Sequence, residues 1–333
     1  MLDDIKNNIL SDFQEDLDYV YEERFHEFGP VTIKTTAHLL NLSVISENYN
    51  TVLKLIPTPE GSRRCYDDLG NNILVFSPLF SNNNYGHILH DILPRLVLFD
   101  KQKEYTKIIT CTSTLLRQLI DILQIKLSKR VIFVDRELNF SCRNITYLCG
   151  PSFYVRDINS TRLFKTHIER FLKSNITTTK RNRLIYYKRE GKDAKHRRYM
   201  DSQNEEEVIS LLKNYSDKNN LEFTLFNGLK NGETMPHIEQ IQLFREAKIA
   251  VGSHGSGLAN ITWMDPANDC KVCEFCSGTT NIIHGNTPFI KNYNFLYGGM
   301  LGDFIDYSLI PFTKESNTNT TYIDINNLKK FLT

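Results

Sequence analysis

The chain of 333 residues lacks several things that would fix its class at once. No run approaches the ~18 apolar residues of a membrane-spanning helix, so none is expected. There is no internal repeat and no long Pro/Gly/Ser tract, which excludes a solenoid and a low-complexity linker. An excess of one charge is missing: 40 Lys+Arg against 39 Asp+Glu leave a net charge of +1. A general nucleic-acid binder is therefore not expected, although a local basic patch fits such a balance. The N-terminal MLDDIKNNILSDFQEDL lacks the basic-then-apolar order of a signal peptide. Seven cysteines, an odd number without a secretion signal, favour reduced thiols in a cytosol over a disulfide framework. What is present is an ordinary globular composition, 41% hydrophobic and 24% charged, which excludes disordered, collagen-like and coiled-coil chains. At ~150 residues per domain the length predicts two domains.

Periodicity gives the organisation. Val31–Leu40 and Val52–Ile56 read as strands, and Asn72–Leu79 reads as a clearer one. A helix over Tyr85–Gln102 follows, because Ile88, Leu89, Ile92, Leu93, Leu96 and Phe99 recur at helical spacing. Pro94 is expected to kink that helix or tighten its first turns. Lys107–Cys111, Val131–Asp135 and Ile145–Gly150 read as strands, with helices over Ser113–Gln124 and Thr161–Lys173. Ser174–Arg181 is polar and reads as a linker. Beyond it, strands are expected at Leu184–Lys188, Leu221–Phe226, Ile249–Gly252 and Lys271–Cys276. Helices are expected at Asn204–Tyr215, opened by Asn204, at His237–Ala247, and from Gly255 to Trp263. Strand–helix alternation in both halves predicts two α/β domains with mainly parallel sheets. Their ligands bind where the carboxyl ends of the strands emerge.

Four segments carry candidate chemistry. In IAVGSHGSGLAN, Ile249–Asn260, an apolar strand runs into Gly252-Ser253-His254-Gly255-Ser256-Gly257 and a helix. Such a turn lets backbone N–H groups approach a phosphate, or is simply a tight turn. It is not a P-loop, since Leu258 and Ala259 follow the last glycine, and Asn260 spoils the dinucleotide pattern. In NYGHILHDILPR, Asn84–Arg95, the residues His87, His90 and Asp91 fall on one face of the expected helix. They suit a general base held by a carboxylate, a metal pair, or plain capping and core. In RLIYYKREGKDAKHRR, Arg183–Arg198, a strand ends in Lys188-Arg189 and a basic loop carries Lys192, Lys195, His196, Arg197 and Arg198. Guanidinium groups grip phosphate oxygens in pairs, and a solvated basic loop is the plainer alternative. Cys270, Cys273 and Cys276 have cluster-like spacing. However, KVCEFC alternates like a strand, which sends thiols three apart to opposite faces, and no fourth Cys follows. Glu274 in that strand could accept from ribose hydroxyls or make an ordinary ion pair.

Taken together, these residues resemble glycosyltransferase family 61, which includes xylosyltransferases and O-linked N-acetylglucosaminyltransferases. The carriers are Asn84-Tyr85-Gly86-His87, His90-Asp91, Pro94-Arg95, Tyr186–Arg189, Arg197-Arg198, Asn204-Glu205, Gln240, Phe244, Ala247 and Val251–Asn260. Their order and spacing match from about residue 72 to 276. Lys188 departs from the family, where Ser often precedes the strand-ending Arg.

The resemblance implies a GT-B-like α/β fold, two Rossmann-like domains with mainly parallel sheets facing a cleft. It implies inverting transfer from a nucleotide sugar, usually a UDP-sugar, to a hydroxyl of a glycan or glycoconjugate, with no cofactor and no metal. The expected division is an acceptor-side domain over 1–175, a nucleotide-sugar domain over 176–315, and a C-terminal helix over 316–333 able to cross back to the first domain. His87 is the favoured base, with His90 held by Asp91 as the other choice. Arg183, Lys188, Arg189, His254, Gly255, Ser256 and Gly257 are assigned to the diphosphate or sugar, and Glu274 to the ribose. No nucleic-acid partner is expected. A cytoplasmic enzyme, with peripheral membrane contact if its acceptor is lipid-linked, fits the absent leader. A metal-dependent phosphohydrolase using His87, His90 and Asp91 is the alternative enzyme, and a non-catalytic nucleotide-sugar-binding protein the third reading.

Overall fold

The computed structural model describes residues 21–26, 31–38, 50–57, 67–68, 72–78, 84–111, 113–134, 137–141, 144–150, 158–176, 180–189, 200–277, 305–314 and 321–333. The chain divides into two compact units, Met1–Ile168 and Glu169–Thr333. The strands of unit 1 are β1 (Tyr21–His26), β2 (Val31–His38), β3 (Asn50–Pro57), β4 (Asp67–Asp68), β5 (Asn72–Pro78), β6 (Lys107–Cys111), β7 (Val131–Val134), β8 (Glu137–Ser141) and β9 (Asn144–Gly150). Five of them form one sheet in the order β1-β9-β5-β6-β7. It is parallel except where β1 joins β9. Ile73, Leu74, Val75 and Phe76 are all buried, as a strand covered on both faces requires. A second sheet, β3-β2-β8-β4, is antiparallel apart from the short β4–β8 pairing. Strand–helix alternation does not announce it.

The helical stretch after β5 is not one regular α-helix. An α-turn at Tyr85–His87 runs into a π-turn at Ile88–Ile92 and returns to α at Leu93–Phe99; together these are α1. Pro94 supplies the reason. It has no N–H to give to the His90 carbonyl, and its ring would clash with that carbonyl in a regular α-helix. The turn widens, and Leu93 N–H reaches back to the Ile88 carbonyl instead. The expected kink or tightening is thus a widening. Helix α2 (Thr114–Ile122) is capped by Ser113, whose hydroxyl accepts from Leu116 N–H at 3.1 Å. Helix α3 (Ile158–Asn175) contains the unit boundary at Ile168/Glu169.

Unit 2 contains β10 (Arg183–Tyr187), β11 (Glu222–Phe226), a small hairpin of β12 (Leu229–Lys230) and β13 (Glu233–Thr234), β14 (Ala247–Ser253), β15 (Lys271–Ser277), β16 (Asp306–Lys314) and β17 (Thr321–Tyr322). Its main sheet runs β11-β10-β14-β15-β16-β17 and is parallel up to the antiparallel β17. Helix α4 (Ser202–Lys218) is capped by Asp201, which accepts from Gln203 and Asn204 N–H at 3.0 Å each. Asn204, expected to open that helix, has another task. Its buried amide donates to the Ile323 carbonyl (3.1 Å) and accepts from Ile323 N–H (2.7 Å). Helix α5 spans His237–Arg245. The C-terminal helix α6 (Ile325–Leu332) packs within unit 2. Leu328 and Leu332 join Val208, Leu212, Val251, Cys273 and Phe275 in one buried cluster. The helix for which the family resemblance implied a crossing thus has its apolar stripe in the second unit's own core. No helix among the described residues is long and apolar enough to cross a membrane.

Candidate functional site

Each main sheet has one place where the strand order reverses, and ligands of parallel α/β sheets bind there. In unit 1 the chain proceeds from β5 through β6 to β7, then returns to β9 on the other side of β5. In unit 2 it goes from β10 outward to β11, then returns to β14 on the other side of β10. Apart from Arg183 and Glu274, the candidate residues follow β5 in the first unit and the carboxyl ends of β10 and β14 in the second.

In unit 2, β10 ends at Tyr187, and Lys188 N–H still bonds the Phe226 carbonyl at 2.8 Å. Arg189 then turns across to β14, and its Nη1 donates to the His254 carbonyl at 2.9 Å. The glycines of the facing segment are explained by what lies against them. A Cβ on Gly255 would stand 2.7 Å from Arg189 Nη1. A Cβ on Gly252 would stand 2.7 Å from Tyr187 Cβ, and one on Gly257 would enter the Tyr187 ring. The glycine pattern therefore seats Tyr187 and Arg189 against the turn and fixes a cation there. The helix that follows is a short, buried 3₁₀ segment, Leu258–Trp263, not the α-helix expected. Its amides at Leu258, Ala259 and Asn260 bond to the carbonyls of Gly255, Ser256 and Gly257, at 3.0 to 3.4 Å. Asn260 braces the turn from beneath. It donates to the Gln240 side chain and the Gly257 carbonyl, and accepts from the Trp263 indole, each at 3.0 Å.

His254 and Glu274 are brought together. Phe275, beside Glu274 on β15, accepts the His254 amide at 2.8 Å. The imidazole Nδ1 is hydrogen-bonded to Glu274 Oε1, and Glu274 Oε2 accepts from the Tyr307 hydroxyl at 2.5 Å. Glu274 has no exposed surface. With both carboxylate oxygens engaged inside the protein, it orients His254 and is not a ribose acceptor, which corrects the expectation.

Arg183 is also corrected. It opens β10 at the amino edge, the far end of the strand from Arg189. There its Nε meets Glu246 at 2.7 Å and its Nη1 meets Glu222 and Thr224 Oγ1, the latter at 3.1 Å. Burial works against the charge, but the bonds to Glu246 and Glu222 outweigh it and hold the guanidinium pKa up. Lys188 is at the right edge, half-exposed, and pairs with Glu205 Oε2 at 3.6 Å. Glu205 Oε1 accepts from Tyr186, a phenol pushed well above its usual range by burial and by that carboxylate. The basic loop with Lys192, Lys195, His196, Arg197 and Arg198 lies outside the described residues.

The cysteines have separate tasks. Cys270 donates to the carbonyls of Asp265 (3.0 Å) and Ala247 (3.4 Å). Cys273 is in the core, its thiol pushed far up by burial and by neighbouring Glu274. The side chain of Cys276 is outside the described set. Among the described residues no cluster of His, Cys, Asp or Glu could hold a metal ion. A D-x-D triplet does stand in the sequence, Asp16-Leu17-Asp18, also outside the described residues.

In unit 1, Asn84 caps α1 by accepting from His87 N–H at 3.3 Å. His87 is half-buried and His90 is 3% exposed. The π-turn at Ile88–Ile92 replaces the regular α spacing from which a shared face of His87, His90 and Asp91 was expected. Such turns occur often where side chains are used for function. The Asp91 side chain lies outside the described set. Sequence reasoning missed Tyr307 and Tyr187 as parts of the second-unit site. The only signal for Tyr187 was its place beside Lys188-Arg189.

No curated protein matches the chain. Among solved structures, E. coli heptosyltransferase WaaC with ADP aligns at 13% identity and a TM-score of 0.43, covering 78% of this chain and 98% of that one. The dodecameric iron-containing heptosyltransferase TibC, in complex with ADP-D-beta-D-heptose, aligns at 11% identity and a TM-score of 0.34, covering 76% and 77%. The model of the family Glycosyltransferase 61 matches residues 85–273, from the Tyr85 start of α1 to Cys273 in β15. That match spans more than half of the chain, and the chain belongs to glycosyltransferase family 61.

Proposed function

We propose that this glycosyltransferase moves a sugar, with inversion and without a metal ion, from a nucleotide sugar to a hydroxyl of a glycan or glycoconjugate. The donor is a UDP-sugar. Unit 2 holds it and unit 1 serves the acceptor. The observation that supports this is Arg189, whose Nη1 bonds the His254 carbonyl at 2.9 Å, against Gly255, where a Cβ would stand 2.7 Å from it. A guanidinium fixed at a switch point suits a diphosphate, whose charge grows as it leaves.

In the reaction the acceptor oxygen forms its bond to the anomeric carbon while the carbon–phosphate-oxygen bond breaks. The acceptor proton goes to His87, half-buried at the capped start of α1. The electron pair of the broken bond stays on the diphosphate, beside Arg189. A test is transfer from a UDP-sugar panel in EDTA, with the anomeric proton of the product followed by NMR. Inverted product in EDTA is expected. Retained configuration would overturn the inverting assignment, and transfer restored only by added Mn²⁺ would overturn the metal-free one.

A further inference from the structure

The glycine turn runs into a segment that is weakly held by its own backbone. A 3₁₀ helix makes poorer hydrogen bonds than an α-helix. Those that Leu258, Ala259 and Asn260 make back to the turn lengthen from 3.0 through 3.3 to 3.4 Å. Helix α5 supports the segment from outside at two places. Gln240 meets Asn260, and Arg245 meets the far end, with Nη1 on the Trp263 carbonyl at 3.5 Å and Nη2 on Asp265 at 3.2 Å. Glu169 holds Arg245 in turn, at 2.9 Å.

The Gln240 contact has a direction. Its Nε2 donates to the Met235 carbonyl at 2.7 Å, so Oε1 is the atom that accepts from Asn260 Nδ2. That nitrogen also donates to the Gly257 carbonyl, and Asn260 Oδ1 accepts from the Trp263 indole. Turning either amide over would set oxygen against oxygen, at Met235 or at Gly257. Gln240, Asn260 and Trp263 are all buried, so a lost bond is not replaced by water. The chain of bonds begins away from the turn, at the base of the β12–β13 hairpin, where Met235 N–H bonds the Gly228 carbonyl at 2.9 Å.

We infer that Gln240 is a positioning residue for donor binding, acting through Asn260 on the turn. It sets the direction of the Asn260 amide, and that amide holds the Gly257 carbonyl and the Trp263 indole together. The turn is thereby kept against Tyr187 and Arg189, where the glycines allow little displacement. The inference rests on unit 2 being the donor site.

The test is Gln240→Met, which keeps the length of the side chain and removes both of its hydrogen bonds. Calorimetric titration with UDP should show binding about 10-fold weaker than wild type. Made in the Arg189→Met protein, the same substitution should weaken binding by less than about threefold further, because the network acts through the turn that faces Arg189. The emission of Trp263, the one tryptophan of the chain, should shift in Gln240→Met before any UDP is added. A merely structural glutamine would lower the melting temperature and leave the UDP affinity of the folded protein unchanged. Affinity near wild type in folded Gln240→Met, equal losses in the two backgrounds, or an unshifted emission would overturn the inference. Should Gln240→Met fail to fold, Trp263→Phe decides, since it removes the indole donor to Asn260. It should weaken UDP binding about threefold, and an unchanged affinity overturns the inference. Wild-type protein that binds no UDP would overturn the donor-site reading and this inference with it. Wild-type protein that binds UDP, beside an indifferent Gln240→Met, would overturn this inference alone.

Discussion

The two switch points present histidine in opposite ways. In unit 1, His87 stands half-buried at the start of a helix, with Asn84 capping its amide and a π-turn widening the coil just beyond. In unit 2, His254 continues a central strand, nearly buried, its ring fixed by a carboxylate that a tyrosine fixes in turn. A side chain that accepts a proton from an incoming hydroxyl must be reachable by it. One that meets a charge appearing at a fixed place gains from rigidity, because no reorganisation is needed when the charge forms. Under the proposed function the moving proton belongs to the first site and the standing charge to the second.

The sharpest way to break that division is His87→Ala. Loss of a general base should lower transfer by about 10²- to 10⁴-fold while UDP affinity stays put. Equal loss of affinity would make His87 a binding residue and erase the contrast. The next test lies within unit 2. Arg189→Met should weaken UDP binding about 10- to 100-fold, the scale of a charge-assisted hydrogen bond. Arg183→Met, at the other end of the same strand, should leave UDP affinity unchanged and lower the melting temperature, because Glu222 and Glu246 lose their shared cation. If Arg183→Met weakens UDP binding and Arg189→Met does not, the placement of the site is reversed.

The Arg183/Arg189 pair also shows what a sequence can disclose. The two arginines flank one apolar run, and composition alone gives both to the diphosphate. Strand direction separates them, and it follows from the parallel pairing to β11 and β14. Most of the parallel framework was readable, because Ile73–Phe76 and Ile249–Val251 are buried on both faces and appear as continuous apolar runs. The π-turn was not, since Pro94 announces a disturbance but not its sign. Tyr307 was hidden for a different reason. Its strand β16 contains Pro311, which argues against a strand inside a sheet, yet β16 pairs on both sides, to β15 and β17. Glu274 was singled out as a residue, but its partners come from the turn after β14 and from β16, and no local pattern reveals a contact between segments distant in sequence.

Smaller effects sharpen the comparison by leaving both sites alone. Asn204→Ala removes the two hydrogen bonds that join α4 to Ile323, and strands a buried N–H and C=O. It should cost about 2–4 kcal/mol in denaturant unfolding, with kcat unaffected in the folded fraction. His237, at the start of α5, is smaller still. Burial pushes its pKa below the usual value of 6.5. Below that value the unfolded chain takes up a proton that the folded one resists, so stability falls as pH drops through this window. His237→Gln should flatten the dependence of melting temperature on pH below about 6.5. An unchanged slope would assign the acid sensitivity to other groups.

The central claim is that the carboxyl end of β10 and β14 holds a nucleoside diphosphate by protein cations and a glycine turn alone. Calorimetric titration with UDP, GDP and CDP, in EDTA and then with added Mn²⁺, tests it most directly. Tight binding of one nucleotide, unchanged by EDTA and lost in Arg189→Met, is the predicted result. Binding that appears only with the metal, or that survives Arg189→Met at full strength, would contradict it.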